Sequence, residues 1–353
     1  MNTKSPEVNL ELLASLCKTP GLPGREEEIS FLIRQNIPSP WQTQQDALGN
    51  LIAHLPGKGN RLLILAHMDE VGLIVRRITP EGFLLVERLG GMHITALPGN
   101  RLCLWSNGRC VPAWVGLPPQ HLAAESPIAL KDIYIDVGAA SGKETREMGI
   151  QIGDGLTWDS PLVRTDNDWV CTKALDDRLG CYILIALANL VTKNSVPYDL
   201  YLAFVVQEET STHSALPIIR SVNPDYALGI DGTLAFDSPD VFHQQTEIQI
   251  GNGPAIKWMD AIRGKSATYL PDGKLAKHIQ KTAQQQNIPL QTEIVSGLTT
   301  ALNLIPFSQQ GIKTAALSIP IRYHHSPVET ACLSDVQHLI KLLLCVLSQP
   351  LNL

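Results

Sequence analysis

The chain has 353 residues, of which 44% are hydrophobic and 18% are charged, and 28 basic against 34 acidic residues leave a net charge of -6. This composition excludes an intrinsically disordered chain, and the acidic balance argues against a protein that binds nucleic-acid phosphates. The length favours two domains.

The N-terminal part is predicted to be helical and to lead into a buried strand. Helices are expected over residues 10–17 and 26–34, because the Pro and Gly residues at 20–24 interrupt helical structure between them. The short apolar run 62–66 has polar neighbours and therefore predicts a buried strand, which ends at His67.

The region from Gly72 to about Val163 predicts a small β-rich domain. Short runs of β type alternate there with turns that are rich in Gly and Pro, which is typical of a barrel or a sandwich. One short helix is expected over residues 143–148. The predicted strands cover residues 73–78, 83–87, 101–105, 111–115 and 133–137.

After Trp169 strands alternate with helices, which indicates an α/β sheet with helices on its faces. The strand before His67 fits the same sheet, so the α/β domain would be split. We predict that it comprises residues 1–70 and 164–353, with residues 71–163 inserted. Its further strands are expected at 198–206, 226–230 and 314–319, and its helices at 177–191, 275–286 and 335–347, the last with Ser334 as N-cap.

The cysteines and the first residues indicate a soluble cytoplasmic protein that does not associate with membranes. The seven cysteines are odd in number and form no C-x-x-C pair, so we expect neither a disulfide framework nor a cysteine zinc site. The segment MNTKSPEVNLELL is too polar for a signal peptide, and no apolar window is long enough for a membrane helix.

Acidic residues and histidines follow several predicted strands. In the motif at His67, Asp69 lies two residues further on and shares a face with the histidine in an extended chain. An acid in that place can hold the second ring nitrogen of a metal-binding imidazole. The other motifs are ALDDRLG with Asp176, which follows the strand Trp169–Thr172, QEE with Glu209, GIDG with Asp231 and YHHSPVE with His325.

Each motif alone has a simpler structural interpretation. His67 could be a buried structural histidine, paired aspartates at a helix start are usually caps, and a lone acid or histidine at a strand end is more often structural than catalytic. Five such motifs in one α/β domain favour a joint site, because ligands of α/β sheets bind at the carboxyl ends of the strands.

The charges and residue types suit a pair of divalent ions. Two imidazoles and three carboxylates carry -3 against the +4 of two ions, and oxygen and nitrogen ligands without thiolates suit Zn, Co or Mn. A co-catalytic pair polarises a carbonyl and activates water. Glu208, next to Glu209, would stay free as general base. The five candidate ligands are His67, Asp176, Glu209, Asp231 and His325.

Taken together, the motifs resemble the dinuclear-metal aminopeptidase family that includes glutamyl aminopeptidases, deblocking aminopeptidases and the tetrahedral (TET) peptidases. HMDEVG, ALDDRLG, QEE, GID followed by TLAFDSP, GNGPAI and RYHHSPVE occur in the family's order and spacing over essentially the whole chain. The Frv-type aminopeptidases of enteric bacteria are the members that it most resembles. The resemblance implies a phosphorylase/hydrolase-like α/β/α sandwich with an inserted PDZ-like β domain that helps to form homo-oligomers, based on dimers and reaching dodecamers.

The resemblance also implies an activity, hydrolysis of N-terminal residues from peptide substrates, and a part in it for each site residue. His67 and Asp231 would bind one ion and Glu209 and His325 the other, with Asp176 bridging the two. Glu208 would be the general base, and Asp69 would orient His67. His324 stands where the family is usually apolar, so we expect it to lie beside the site or at the surface rather than to bind metal.

Two segments depart from the family pattern. Residues 210–214 read TSTHS where the family has VGLRG, and residues 297–301 read GLTTA where it has GGTDA, so Thr300 replaces an aspartate. We expect a surface position for His213. Neither change removes a candidate ligand or base, but both leave the substrate and the rate open. The alternatives are an amide or N-acyl hydrolase that acts on a non-peptide metabolite, and a weakly active paralogue that serves as an assembly subunit.

Overall fold

The computed structural model describes residues 7–119, 121, 129–192, 196–211, 213–241, 246–261, 268–298, 300 and 302–351. Its helices are α1 (Leu10–Lys18), α2 (Glu27–Gln35), α3 (Gly142–Glu147), α4 (Leu175–Leu190), α5 (Leu216–Val222), α6 (Gly273–Gln285) and α7 (Leu333–Leu347). Within the described ranges no helix is both long and apolar enough to span a bilayer.

The strands are more numerous than the sequence predicts. They are β1 (Gln42–Gln45), β2 (Leu51–Leu55), β3 (Arg61–His67), β4 (Gly72–Ile78), β5 (Leu84–Leu89), β6 (Arg101–Ser106), β7 (Arg109–Val115), β8 (Ile135–Asp136), β9 (Gly155–Trp158), β10 (Val163–Arg164), β11 (Trp169–Thr172), β12 (Asp199–Val205), β13 (Tyr226–Leu234), β14 (Ala255–Ala261), β15 (Thr268–Tyr269), β16 (Gln291–Ile294), β17 (Lys313–Ile321) and β18 (Glu329–Cys332).

The main sheet has nine strands, in the order β1-β2-β12-β3-β13-β17-β14-β15, with β16 also paired to β14. Its central strands β12, β3, β13 and β17 run parallel, and β2 and β14 flank them in the antiparallel direction. The central strands are nearly continuous apolar runs, as expected for parallel strands that are covered on both faces. Their carboxyl ends therefore lie along one edge of the sheet.

Helices cover both faces of this sheet. In β3, Leu62 and Ile64 pack into a core with α1, α4, α6 and α7, whereas Leu63 and Leu65 pack on the opposite face with α5. This alternation follows from the period of two in a strand. The predicted α/β class is confirmed. A separate three-stranded sheet, in the order β10-β11-β18, leads into α7.

Between β3 and β10 the chain forms a closed barrel in the order β4-β5-β8-β7-β6-β9, in which neighbouring strands are antiparallel. The barrel has a core of its own, with Leu73, Leu104 and Leu156 fully buried. The predicted small β-barrel is confirmed. The predicted helix in this region is α3, for which Ser141 is the N-cap. Residues 120 and 122–128 of the predicted insertion lie outside the described part of the chain.

One sequence prediction is wrong, and the structure adds one disulfide that was not predicted. The N-cap of α7 is Cys332 and not Ser334, because β18 runs directly into the helix and the Ser334 hydroxyl contacts the Cys332 thiol. Cys103 and Cys110 form a disulfide between β6 and β7, with their Cα atoms 5.4 Å apart. The hairpin brings this pair together, which a count of cysteines does not show. The other five cysteines are free, so no framework of several disulfides is present.

The packing of the main-sheet core can be tested at Phe204 of β12, which is fully buried. Phe31 of α2 is 63% exposed and serves as the comparison. Phe204→Ala is expected to lower the free energy of unfolding by about 3 to 5 kcal/mol, since it leaves a cavity in a close-packed core. The matched change Phe31→Ala should cost less than about 0.5 kcal/mol. Urea unfolding measures both. Equal losses in the two variants would contradict this packing.

Candidate metal centre

The five candidate ligands and Glu208 converge at one edge of the main sheet. His67 is the last residue of β3, and Asp176 stands at the start of α4. Glu208 and Glu209 follow β12 in a single 3-10 turn, and His325 lies in the loop after β17. Asp231 lies inside β13, which extends four residues beyond the predicted strand, so it points into the site from a strand rather than from a loop.

His67 lies at the centre of the first group. Its ring is 2% exposed, and its Nε2 is 3.3 Å from Asp176 Oδ1 and 3.8 Å from Asp231 Oδ1. Its Nδ1 is 3.4 Å from Asp69 Oδ1. One ring nitrogen therefore faces the acidic cluster while the other faces an acid that can fix its tautomer.

The second group forms around the other oxygen of Asp176. Asp176 Oδ2 is 3.3 Å from His325 Nε2 and 2.9 Å from His324 Nε2. His325 Nε2 is also 3.2 Å from Glu209 Oε1. Among the described residues, Asp176 is the carboxylate whose two oxygens face different imidazoles, which is the arrangement that a bridging ligand needs.

Asp69 connects the first group with the turn that carries the two glutamates. It is fully buried, and its two oxygens accept hydrogen bonds from the backbone N–H groups of Glu208 and Glu209, each at 3.0 Å. The same carboxylate faces His67. Asp69 therefore positions the histidine and both glutamates at once.

Three acids that support the site were not predicted. Glu329 accepts the backbone N–H of His325 at 2.6 Å and that of Asp176 at 3.2 Å. Asp177 accepts the N–H of His67 at 3.1 Å and that of Gly180 at 2.9 Å, so the capping interpretation applies to this aspartate. Both lie in motifs that drew attention for a neighbouring residue, and nothing in the sequence indicates which backbone groups they reach.

Glu26 is the third of these acids, and it lies far from the site in sequence. It is 5% exposed, and its Oε1 accepts the N–H groups of Gly24 and Gln207, each at 2.9 Å. Glu26 thereby fixes the residue that precedes Glu208. With Asp69, it holds three consecutive N–H groups of the turn after β12.

Burial and crowding shift the protonation of the carboxylates. Burial raises the pKa of Glu208 well above its usual range, and the Glu209 and Asp69 carboxylates add to the shift. Burial and Asp176 raise the pKa of Asp231 in the same way. The pKa of Asp176 is instead held well below its usual value, because its contacts with His324, His325 and His67 outweigh the effect of burial.

The pKa values of the two candidate histidine ligands are also raised, against the effect of burial. Burial alone would lower the pKa of His67, but hydrogen bonds and charge from Asp176 and Asp69 outweigh it and raise the pKa. Glu209 and Asp176 likewise raise the pKa of His325. The cluster therefore attracts positive charge strongly, and protons compete with any other cation for it.

Three observations indicate that these residues are suited to hold metal ions. Three groups of residues each bring three donor atoms within 4.8 Å of one another. These groups are Asp176 with His324 and His325, His67 with Asp176 and Glu209, and His67 with Asp177 and Asp231. Buried Glu208 Oε1 has no hydrogen-bond partner among the described residues. Over the same ranges no Lys or Arg forms an ion pair with Asp69, Asp176, Glu209 or Asp231. Imidazole and carboxylate donors suit divalent transition metals.

The barrel also reaches this site. The loop after β5 places the carbonyl oxygen of Gly91 3.2 Å from His325 Nδ1. A Cβ atom at Gly91 would lie 2.6 Å from that same nitrogen, and one at Gly90 would lie 3.1 Å from Glu209. The two glycines therefore allow the barrel to approach the candidate ligands His325 and Glu209 closely.

The first departure from the family pattern begins at Thr210, in the same 3-10 turn as Glu208 and Glu209. His213 is exposed, which agrees with the expected surface position. Thr300 is buried, and the pKa of Asp260, which burial raises to about 6, is lowered in part by a hydrogen bond from Thr300. Residues 212, 299 and 301 lie outside the described ranges. His324 lies against Asp176, so it is beside the site and not at the surface.

Several known proteins are similar to this chain over most of its length. The family model described as M42 glutamyl aminopeptidase matches residues 49–342. The chain is 36% identical over 346 residues to the protein named "Putative aminopeptidase SgcX" of Escherichia coli strain K12, covering 94% of this chain and 91% of that protein. It is 30% identical to the lysyl aminopeptidase of Pyrococcus furiosus, covering 97% of each. FrvX of E. coli is 28% identical, covering 95% of this chain and 94% of FrvX.

Solved structures agree with these relatives. The aminopeptidase APDkam598 of Desulfurococcus kamchatkensis superposes with a TM-score of 0.91 at 31% identity, covering 96% of this chain and 94% of that one. The TET1 peptidase of Pyrococcus horikoshii, which can assemble into a tetrahedron or a large octahedral shell, superposes with a TM-score of 0.86 at 31% identity, covering 96% and 98%.

Glu26 gives a pH dependence that can be measured. Burial, together with the Asp69 carboxylate, raises its pKa from 4.5 to about 7. The folded state therefore binds this proton more tightly than the unfolded state, so the free energy of unfolding falls as pH rises from about 4.5 to 7. Glu26→Gln keeps the oxygen that accepts both N–H groups but removes the ionisation. It should be more stable than the wild type by on the order of 3 kcal/mol at pH 8 and not at pH 4.5.

Urea unfolding at a series of pH values measures this difference, with Glu28→Gln on the exposed face of α2 as the matched control. Parallel stability profiles for wild type and Glu26→Gln would show that Glu26 is ionised normally in the folded state.

Proposed function

The chain belongs to the M42 glutamyl aminopeptidase family, and from this premise we propose that it is a metal-dependent aminopeptidase that removes N-terminal residues from peptides with a co-catalytic pair of divalent ions. The observation that carries the proposal is the buried cluster of imidazoles and carboxylates that no Lys or Arg of the described residues neutralises. The aminopeptidase names of relatives such as the Pyrococcus furiosus enzyme support the same activity.

In this proposal each ion has its own ligands and one shared ligand. His67 and Asp231 would hold one ion, and Glu209 and His325 would hold the other. Asp176 would be the shared ligand, which is supported by its two oxygens, each of which faces a different group of imidazoles. When bound, such a pair of Zn, Co or Mn ions polarises the scissile carbonyl and activates water. Asp69 keeps His67 Nδ1 protonated, so that Nε2 presents its lone pair to the cluster.

Glu208 is the general base of this proposal. Its Oε1 is buried and unpartnered among the described residues, so it is available to take a proton from the attacking water. It would then pass the proton to the amine that leaves. Asp69 and Glu26 fix its backbone and thereby its distance from the scissile bond.

We also propose that residues 71–163 form an inserted domain that takes part in a homo-oligomer. The closed barrel with a separate core supports an independent folding unit. The assemblies formed by the TET1 peptidase of Pyrococcus horikoshii support oligomerisation of a chain with this architecture.

Glu208→Gln tests the general base. Glutamine has nearly the same shape but cannot accept the proton, so kcat should fall by about 100-fold or more while both ions stay bound. Peptide hydrolysis together with metal analysis measures the two quantities, and Glu209→Gln is the matched comparison, because it should lose metal as well as activity. Full activity in Glu208→Gln would exclude Glu208 as the base.

The substrate class requires a separate measurement. The protein loaded with Zn, Co or Mn should release p-nitroaniline from at least one aminoacyl-p-nitroanilide with a free amine, and chelation should abolish the release. Activity that is confined to N-acylated or non-peptide amides would replace the aminopeptidase with an amide hydrolase. A protein that binds no metal and cleaves none of these compounds would be an assembly subunit without catalysis.

A further inference from the structure

We propose that His324 is a third imidazole of the metal centre and binds the same ion as His325. The inference rests on the proposed function for the presence of the ions, and it goes beyond it because it adds a ligand. It also replaces the expectation from the sequence that His324 lies beside the site without binding metal.

The distances around Asp176 support coordination by both histidines. His324 Nε2 is 2.9 Å from Asp176 Oδ2, closer than His325 Nε2, which is 3.3 Å from the same oxygen. Two donors that bind one ion at about 2.0 to 2.2 Å stand roughly 3 to 3.5 Å apart. The distances from His325 Nε2 to Asp176 Oδ2 and to Glu209 Oε1, 3.3 Å and 3.2 Å, fall in this range. The 2.9 Å of His324 is slightly shorter, but donor atoms of Asp176, His324 and His325 all lie within 4.8 Å of one another. His324 is therefore close enough to share an ion with His325 and Asp176.

The backbone explains how two neighbouring side chains reach one point. Adjacent residues of an extended chain point in opposite directions. Here Tyr323 and His325 have φ angles of 58° and 63°, in the left-handed region that residues other than glycine rarely adopt. The chain turns so tightly that the two imidazole rings lie with centroids 4.3 Å apart and planes 34° apart. Glu329 holds this turn through the N–H of His325.

A hydrogen bond from His324 to Asp176 is the competing explanation, and burial alone does not separate the two. The His324 side chain is 12% exposed, less than that of His325 at 22%, so both are shielded from solvent. Coordination predicts a further property, because an additional imidazole favours Zn and Co over Mn at this position. A hydrogen-bonding partner would change the affinity for all three ions alike.

A crystal structure of the zinc-loaded wild type decides between these explanations. We expect His324 Nε2 within about 2.3 Å of the ion that His325 binds. If that nitrogen instead contacts only Asp176, with no ion within bonding distance, the inference is overturned. If no zinc is bound at all, the proposed function fails first, so the two failures are distinguishable.

Variants test the same point in solution. His324→Leu should lower the affinity for one of the two zinc ions by at least about 10-fold, measured by competition with a chromophoric chelator, and leave the other unchanged. His324→Gln carries an amide that can donate to Asp176 but binds zinc poorly, and it should lose as much affinity as the leucine variant. His278→Leu on α6 is the matched control and should bind zinc like the wild type. Restored affinity in His324→Gln would show that a hydrogen bond, and not coordination, is what His324 provides.

Discussion

The contact of one carboxylate with imidazoles from two parts of the chain determines the geometry of the site. Asp176 meets His67 at the end of β3 through one oxygen and His325 in the loop after β17 through the other. Glu329 fixes the backbone of both Asp176 and His325. Because a buried carboxylate needs neutralising or hydrogen-bonding partners, the imidazoles around Asp176 and the N–H groups held by Glu329 are what keep it in place.

Two other buried acids of the chain are neutralised by basic side chains. Glu70, next to Asp69, is neutralised by Lys173 at 2.6 Å and contacts Arg178 at 3.5 Å. Glu293 pairs with Lys257 at 3.0 Å, and both are fully buried. The acids around His67 form no ion pair with a Lys or Arg among the described residues. In this respect they differ from Glu70 and Glu293.

Periodic or local patterns were predictable from the sequence, whereas contacts between distant segments were not. Acids and histidines at strand ends indicated a joint site, because the parallel strands end at one edge. Strand β1 is entirely polar and β14 contains a buried lysine, so neither shows the expected pattern. Glu26 contacts the turn after β12 from 181 residues away. The direction of His324 depends on a left-handed backbone at His325, which no residue type in this segment indicates.

The barrel and the candidate ligands share a boundary that limits how this chain can diverge. Gly91 allows no side chain beside His325, and its carbonyl group contacts the Nδ1 of that ring. A barrel taken from a relative by recombination would therefore fit only if it brought the same two glycines to the end of its second strand. In evolutionary terms the barrel is not an interchangeable module, because its innermost loop has to be inherited together with the residues it contacts.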